Sequence, residues 1–478
     1  MNTLQKWEAA QRAANPLWPW PDQDGDGVVW PQPSERSRLG AYSLMEKAYD
    51  GDHWAAFEQK TFASLTSAAT AERNYVAMNY VRVATREVIR IFSGSELDVA
   101  SQNAAVQAIA ETCDANTLVR DIMRDRMRLG DAAVLIRRLA DETVSCELLD
   151  PTITFPIAAV DSRTTLAEVR VAYEISEDQD QYVYLVAHQP RQIVHSLWQV
   201  DQGRLVARPF SDCPYAAAMS GAQGDQTSIT IPTPTEELTV VWSPRDPQGD
   251  LIGQAMCQDA LTPQRLLNRR ETQRDTVLTA YDDPMLVVNE ADTQQEIDSA
   301  GEPTGRSVFR LSASEVIIRE SDENIPPPTW IDGNPHLDAN EQAQDDARRA
   351  FAMMAGISIS SITQDSNAQA APSGESLRMQ FLPTVLTAEE EAREACLAIG
   401  QALRIGAWWA TGTDPGEVEC TLAAAEHYQS QGALWPTPTG SPSGVDGETQ
   451  QIVDDLTGGP LIDTSLTPLG AASQQGEE

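Results

Sequence analysis

The segment GQAMCQDALTPQRLLNRRETQRDTVLTAYDDPMLVV, residues 253–288, divides this chain into two kinds of chemistry. Helical spacing runs from Gln258 to Thr279 and carries Arg265, Arg269, Arg270 and Arg274 on one stretch. Asp282, Asp283 and Pro284 stop it, since proline lacks the backbone donor a helix needs and clashes one turn back. Met285–Val288 then reads as a short strand.

Downstream, Val308–Leu311 and Val316–Arg319 are further short strands, followed by a loop with Pro326, Pro327, Pro328 and Pro335. A second helix is predicted over Asp338–Met354, with Ala339, Ala343, Ala347, Ala350 and Met354 on one face and Asp338, Glu341, Asp345 and Asp346 supplying negative charge. A Ser/Gln/Asn-rich loop, Gly356–Ser373, leads into a long helix from Ser376 to about Trp409, where Pro383 predicts a kink. Beyond Gln429 the Gly, Pro, Thr and Gln content predicts disorder.

Upstream, Ala133–Leu139, Val144–Leu149, Ile153–Ile157, Val169–Ile175, Tyr182–Ala187, Ile193–Val200 and Leu238–Trp242 are β-rich and separated by turn signals. Before them lie two predicted helices. One spans Tyr75–Phe92 with Gly94 beyond it; the other spans Asn116–Leu129, with Asn116 as N-cap and Gly130 past its end. The first forty residues interleave Trp and Pro (Pro16, Trp18, Pro19, Trp20, Pro21, Trp30, Pro31, Pro33) and read as an extended arm. The fold class is α+β.

At 478 residues the chain has room for two or three packed regions, and its longest apolar stretches, such as Ala132–Ile136, are too short to span a bilayer. The N-terminus lacks a signal-peptide core, which predicts a cytoplasmic protein. The six cysteines are scattered and read as free thiols. Net charge is −37 and the only lysines are Lys6, Lys47 and Lys60. Low lysine fits a GC-rich genome, and the acidity fits a halophilic host or plain solubility. The charge argues against tight nucleic-acid binding, which needs phosphate-neutralising cations.

Enzymatic signals are missing together. The histidines show no metal-ligand spacing, and no phosphate-binding glycine loop or nucleophile elbow is present, so no active site and no cofactor are expected. Asp22, Asp24 and Asp26 sit at alternate positions before Gly27, as in a calcium loop. Pro33, however, occupies the place of the closing bidentate glutamate, which leaves at most a weak calcium candidate.

The order of elements after Trp242 resembles the portal (connector) family of tailed double-stranded-DNA phages. Gly253–Met256, Leu266–Asn268 and Asp283–Val288 are similar to that family's stem helix running into its clip. Ala352–Ser358 and Pro372–Arg378 resemble its tunnel loop and the helix that follows. Leu129–Leu135 with Cys146–Pro151 is similar to the paired strands of its wing. The resemblance covers roughly residues 40–405.

It implies a wing over 41–250, a stem helix over 251–283, a clip over 284–335 and a second stem helix over 336–355, whereas the Trp/Pro arm over 1–40 matches no motif of the family. A tunnel loop over 356–373 and a kinked wing or crown helix and crown over 374–428 complete it; the tail over 429–478, read as disordered from its composition, matches no motif of the family either. It also implies a homo-oligomeric ring of about twelve copies at one capsid vertex, assembled in the host cytoplasm and carried in the virion. Its partners would be the terminase motor, a head-completion or neck protein, the major capsid or scaffold protein, and duplex DNA passing through non-specifically; no membrane is involved. Ser358, Ser360, Ser361, Thr363, Gln364, Asn367 and Gln369 would line the tunnel, small and uncharged so that phosphates slide past. Arg265, Arg269, Arg270 and Arg274 would meet the acidic helix of a neighbour. The competing readings are a ring-forming virion or scaffold protein without a DNA channel, and a calcium-dependent or hydrolytic enzyme.

Overall fold

The computed structural model describes residues 33–59, 68–139, 142–159, 161–177, 180–222, 225–282, 337–362 and 374–424, with strand pieces at 286–287, 294–297, 303–308 and 329–330 between them. All of these lie in one compact unit, Met1–Ala425. The Trp/Pro arm to residue 32, the calcium candidate Asp22, Asp24 and Asp26, the strand expected at Val316–Arg319 and the tail fall outside the described residues.

The chain is α+β, with helices packed on antiparallel sheets. Helix α1 (Pro33–Asp50) begins inside the stretch predicted to be irregular. Pro33 stands at its first helical position, where the missing donor costs nothing. Helix α2 (Ala68–Arg73) is short, and α3 (Tyr80–Arg90) starts five residues later than expected, capped by Asn79 accepting from Arg82 N. After strand β1 (Leu97–Ala100) come α4 (Ala104–Thr112) and α5 (Ala115–Leu129). Asp114, not Asn116, caps α5, and the Asn116 side chain instead accepts from Leu97 N.

Strands β2 (Asp131–Arg138) and β3 (Val144–Leu149) pair with β10 (Val240–Pro244) in the order β10-β2-β3. Between them in sequence, β4 (Thr154–Ala158), β5 (Leu166–Glu177), β6 (Asp180–Gln189), β7 (Gln192–Asp201) and β8 (Arg204–Arg208) form a meander. Helix α6 (Pro214–Ser220) follows it, and β9 (Ser228–Pro232) pairs back onto β7.

The three-stranded sheet is the middle layer. Val134 and Ile136 on β2 face the helical core with Val119, Ile122 and Met123. Ala133 on the other side joins Val169, Tyr184, Leu197 and Phe210 under the meander. A third, small core of Phe155, Ile157, Val183, Leu185 and Leu205 covers the meander's remaining face. Strand β6 is therefore buried on both sides.

Helix α7 (Leu261–Asp282) leaves this body; β11 (Leu286–Val287), β12 (Gln294–Ile297), β13 (Pro303–Val308) and β14 (Thr329–Trp330) lie between it and α8 (Leu337–Met354). Of the strand expected at Val308–Leu311, Val308 is the last residue of β13, and 309–311 lie outside the described residues. Helix α9 (Gly374–Thr411) runs without interruption through Pro383, and β15 (Glu419–Leu422) closes the body on β1.

The end of α5 and the entry to α7 meet backbone to backbone. Arg245 N donates to Gly130 O at 2.7 Å, and Gly253 N donates to Asp131 Oδ1 at 2.9 Å. Asp131 also accepts from the Tyr42 hydroxyl, and burial pushes its carboxyl up to about 6. No side chain fits here: a Cβ on Gly253 would lie 2.1 Å from Gly130 O and 2.4 Å from Arg245 N. Gly253→Ala is expected to lower stability by about 3 kcal/mol or more. Gly40→Ala, exposed inside α1 with nothing within 4 Å of the new Cβ, is expected to raise it by up to about 1 kcal/mol. Thermal melts of the two variants check both signs.

Candidate functional site: the rooted helical pair

Helix α7 is fastened to the body by side chains at four-residue spacing. Gln264 Oε1 accepts from Tyr80 N at 3.1 Å, Asn268 Oδ1 from Met78 N at 3.0 Å, and Thr272 Oγ1 from Val76 N at 2.9 Å. Four residues of helix rise about 6 Å and two of extended chain rise about 6.6 Å, so the two repeats keep step. Residues 75–79 are not helical, against the expectation from their periodicity, and α7 takes the Val76 and Met78 donors along this extended stretch.

Asn268 reaches further. Its Nδ2 lies 2.7 Å from His53 Nδ1 and donates to the Tyr75 hydroxyl at 3.1 Å, while His53 Nε2 lies 2.8 Å from Ala48 O. Burial lowers the His53 pKa, and an amide donor on one ring nitrogen with a carbonyl at the other suits the neutral imidazole.

One residue along the helix, Arg265 and Arg269 grip Glu58 on a π-helical turn, Trp54–Glu58. Four hydrogen bonds of 2.8–3.0 Å join the two guanidiniums to the two carboxylate oxygens. Burial would raise the Glu58 pKa, but the hydrogen bonds and charges of both arginines outweigh it and hold it at about 2.

Within one chain these arginines, expected to meet the acidic helix of a neighbour, already have partners. Arg265 and Arg269 are spent on Glu58, Arg270 donates to Ala343 O, and Arg274 lies 3.9 Å from Glu271 on its own helix. On α8, Asp345 pairs with Arg348, and Glu341 and Asp346 stand exposed without an ion pair among the described residues. For Asp338, only the backbone, in the first turn of α8, is described.

Helices α7 and α8 run antiparallel. Arg270 and Glu271 meet Ala343 and Gln344, whereas Gln264 and Arg348 share Tyr80. Burial falls away along both. Among the described side chains, those buried on α7 are Pro263, Gln264, Leu267 and Asn268, and those on α8 are Gln344, Ala347, Phe351 and Ala352. The described side chains of the outer turns are exposed or half-buried, including Leu278.

Gly356, at φ +67°, ends α8. Ile357 N donates to Ala352 O and Gly356 N to Met353 O, a left-handed cap that reverses the chain. The turn is tied to α9 just after Pro383: Thr384 Oγ1 accepts from Ser358 N at 2.9 Å and lies 2.9 Å from Ser361 Oγ, and Thr387 donates to Gly356 O at 2.7 Å. Ser358, expected to line an open loop, is buried and caps a 3-10 turn by accepting from Ser360 N. Ser360 and Ser361 are partly exposed beside it, and Thr363, Gln364, Asn367 and Gln369 lie outside the described residues.

Among the described residues no group of acidic, histidine and cysteine side chains is placed to hold a metal, and no helix is long and apolar enough to cross a membrane. No family model matches the sequence, and no curated protein matches it. Among solved structures the fold is similar to a chain from the neck of a native GTA particle computed with C12 symmetry. The TM-score is 0.40 at 12% identity, covering 75% of this chain and 84% of that one.

Glu58 gives the site a pH signature. Its folded pKa, about 2, lies below the ordinary 4.5, so its contribution is present above pH 4.5 and lost as pH falls towards 2. Glu58→Gln is expected to cost about 2 kcal/mol at pH 7. Melts across the acid range should show the gap between wild type and variant closing between pH 4.5 and 2.

Proposed function

We propose that this chain is the portal subunit of a tailed DNA virus. Copies form a ring of about twelve at one capsid vertex, whose channel passes DNA in packaging and ejection. The rooted α7–α8 pair carries this reading. Its inner turns are locked into the body by the Gln264, Asn268, Thr272 and Glu58 network, while its outer turns keep little cover of their own. A two-helix arm cannot bury its apolar residues unaided, and lateral neighbours in a ring supply the missing surface.

The charge supports the channel. A net charge of −37 leaves few cations to hold phosphates, and each phosphate held would add friction. The turn Gly356–Ile362 carries no charged residue where the chain leaves α8 for the loop. In this reading Ser360, Ser361, Thr363, Gln364, Asn367 and Gln369 face the DNA, and Ser358 holds the loop's base. The segment between α7 and α8 is the clip that meets the motor and neck proteins. The chain performs no chemistry of its own.

The test is the mass of the purified protein in solution, with negative-stain images of the same fraction. A closed ring of about a dozen copies with a central hole is expected. A monomer whose melting temperature rises with calcium would overturn the portal reading in favour of a calcium-dependent enzyme.

A further inference from the structure

Helices α3 and α5 carry two arginine rails. On α3 these are Arg82, Arg86 and Arg90; on α5 they are Arg120, Arg124 and Arg128, each four residues apart. The helices run antiparallel: Arg82 and Arg128 both lie over the Tyr49 ring, at 5.8 and 6.0 Å, while at the other end Arg120 reaches Ser95 O beyond α3. The rails therefore pair as rungs, Arg82 with Arg128, Arg86 with Arg124 and Arg90 with Arg120, about 6 Å apart along the helices.

Glu87, Asp121 and Asp125 pair with Arg90, Arg124 and Arg128. Arg82, Arg86 and Arg120 have no acidic partner among the described residues. The Nε atoms of Arg82, Arg120 and Arg128 are buried without a hydrogen-bond partner. In a chain with 71 acidic and 34 basic residues, this is a local excess of cations.

The complementary face lies across the helical layer. Arg126 pairs with Glu391 at 3.2 Å, which fixes the sides of α5 and α9 that face one another. Arg124 and Arg128, two residues either way, are turned about 200° from Arg126 and so lie on the far side of α5. On α9, Leu386, Glu390, Arg393 and Leu397 lie away from Glu391 and are exposed, the two leucines at 53% and 61%. Glu390 and Glu394 are four residues apart, the same spacing as the rungs; Glu390 is exposed, whereas Glu394 is half-buried at the edge of that face and lies 3.1 Å from Arg393.

We propose that the arginine rails are the docking face for the outer side of α9 from a second copy of this chain, with Glu390 and Glu394 entering between the rungs. One copy presents both faces on opposite sides of its helical layer, so the contact is heterologous and propagates head to tail. The inference rests on the ring reading for closure, but the pairing of faces is testable without it.

The experiment is sedimentation of the full chain at the highest soluble concentration, comparing wild type with Arg86→Glu/Arg90→Glu. Both positions are exposed, and an unchanged far-UV spectrum and melt establish that the variant folds. Self-association is expected to weaken by about tenfold or more, the effect of like charges brought together across an interface. Adding Glu390→Arg/Glu394→Arg to the same chain should restore it, because every head-to-tail contact then carries both reversals. Association of wild type into open arcs, lost in the first variant and restored in the second, supports the faces while the channel reading fails. Rings unchanged by Arg86→Glu/Arg90→Glu overturn the proposal and leave the channel reading standing. Failure of the second reversal to rescue, a wild type that stays monomeric, or duplex DNA bound by the wild type and released by the first variant would each also overturn it.

Discussion

The match between a four-residue step on a helix and a two-residue step on the chain beside it holds the rest of the molecule in place. Gln264, Asn268 and Thr272 accept from the donors of Tyr80, Met78 and Val76. Those donors would otherwise be lost to water or to a longer α3, and a buried unpaired donor costs about 1–3 kcal/mol. Once the rail is engaged the azimuth of α7 is fixed, which aims Arg265 and Arg269 at Glu58 and sets where α8 returns. The same stretch of α7 buries Asn268 against His53, so α1, the π-helical turn and α3 are all read by one helical face.

A second polar node joins the layers. The Glu391 carboxylate on α9 is gripped by Arg126 from α5 and by Arg245 just after β10, at 3.2 and 2.5 Å. Arg126 further donates to Ser243 Oγ and Pro244 O. Buried ion pairs of this kind contribute little net stability, since desolvation offsets their attraction, but removing one partner strands a charge. Their effect here is on specificity. A hydrophobic contact between α9 and α5 would tolerate sliding by a turn, whereas this node accepts one register, the one that sets α9's outer face opposite the arginine rails. Gly130 and Gly253 let the backbones of the same junction touch.

The strands of the body were legible because alternation and β-branched residues mark them. Val144–Leu149 lies where the sequence places it, and β2, β5, β7 and β10 differ only at their ends. Strands β5 and β6 both run longer than their β-rich cores, because their ends carry polar residues such as Glu177, Asp180 and Gln181 that give no strand signal. The short β8 and β9 and helices α4 and α6 carry no strong pattern and were missed. The site was less legible than the fold. The positions of Arg265 and Arg269 suggested a charged helical face, but Glu58, 207 and 211 residues away, is their partner, and no local signal points to it. Ser358 looked like loop chemistry because serine is common there; its burial depends on Thr384, which the turn at Gly356 brings back onto α9.

The arginines also explain how so acidic a chain holds together. Lysine is nearly absent, and the planar fork of arginine serves several acceptors at once. Arg38 spans Glu35, Tyr42 and the carbonyls of Pro151 and Thr154; Arg126 and Arg245 share Glu391; Arg265 and Arg269 share Glu58. These five arginines are thus drawn in to join elements distant in sequence. Moving these arginines out to the surface would leave the Glu58 and Glu391 carboxylates buried without their cations and unfasten the elements they join.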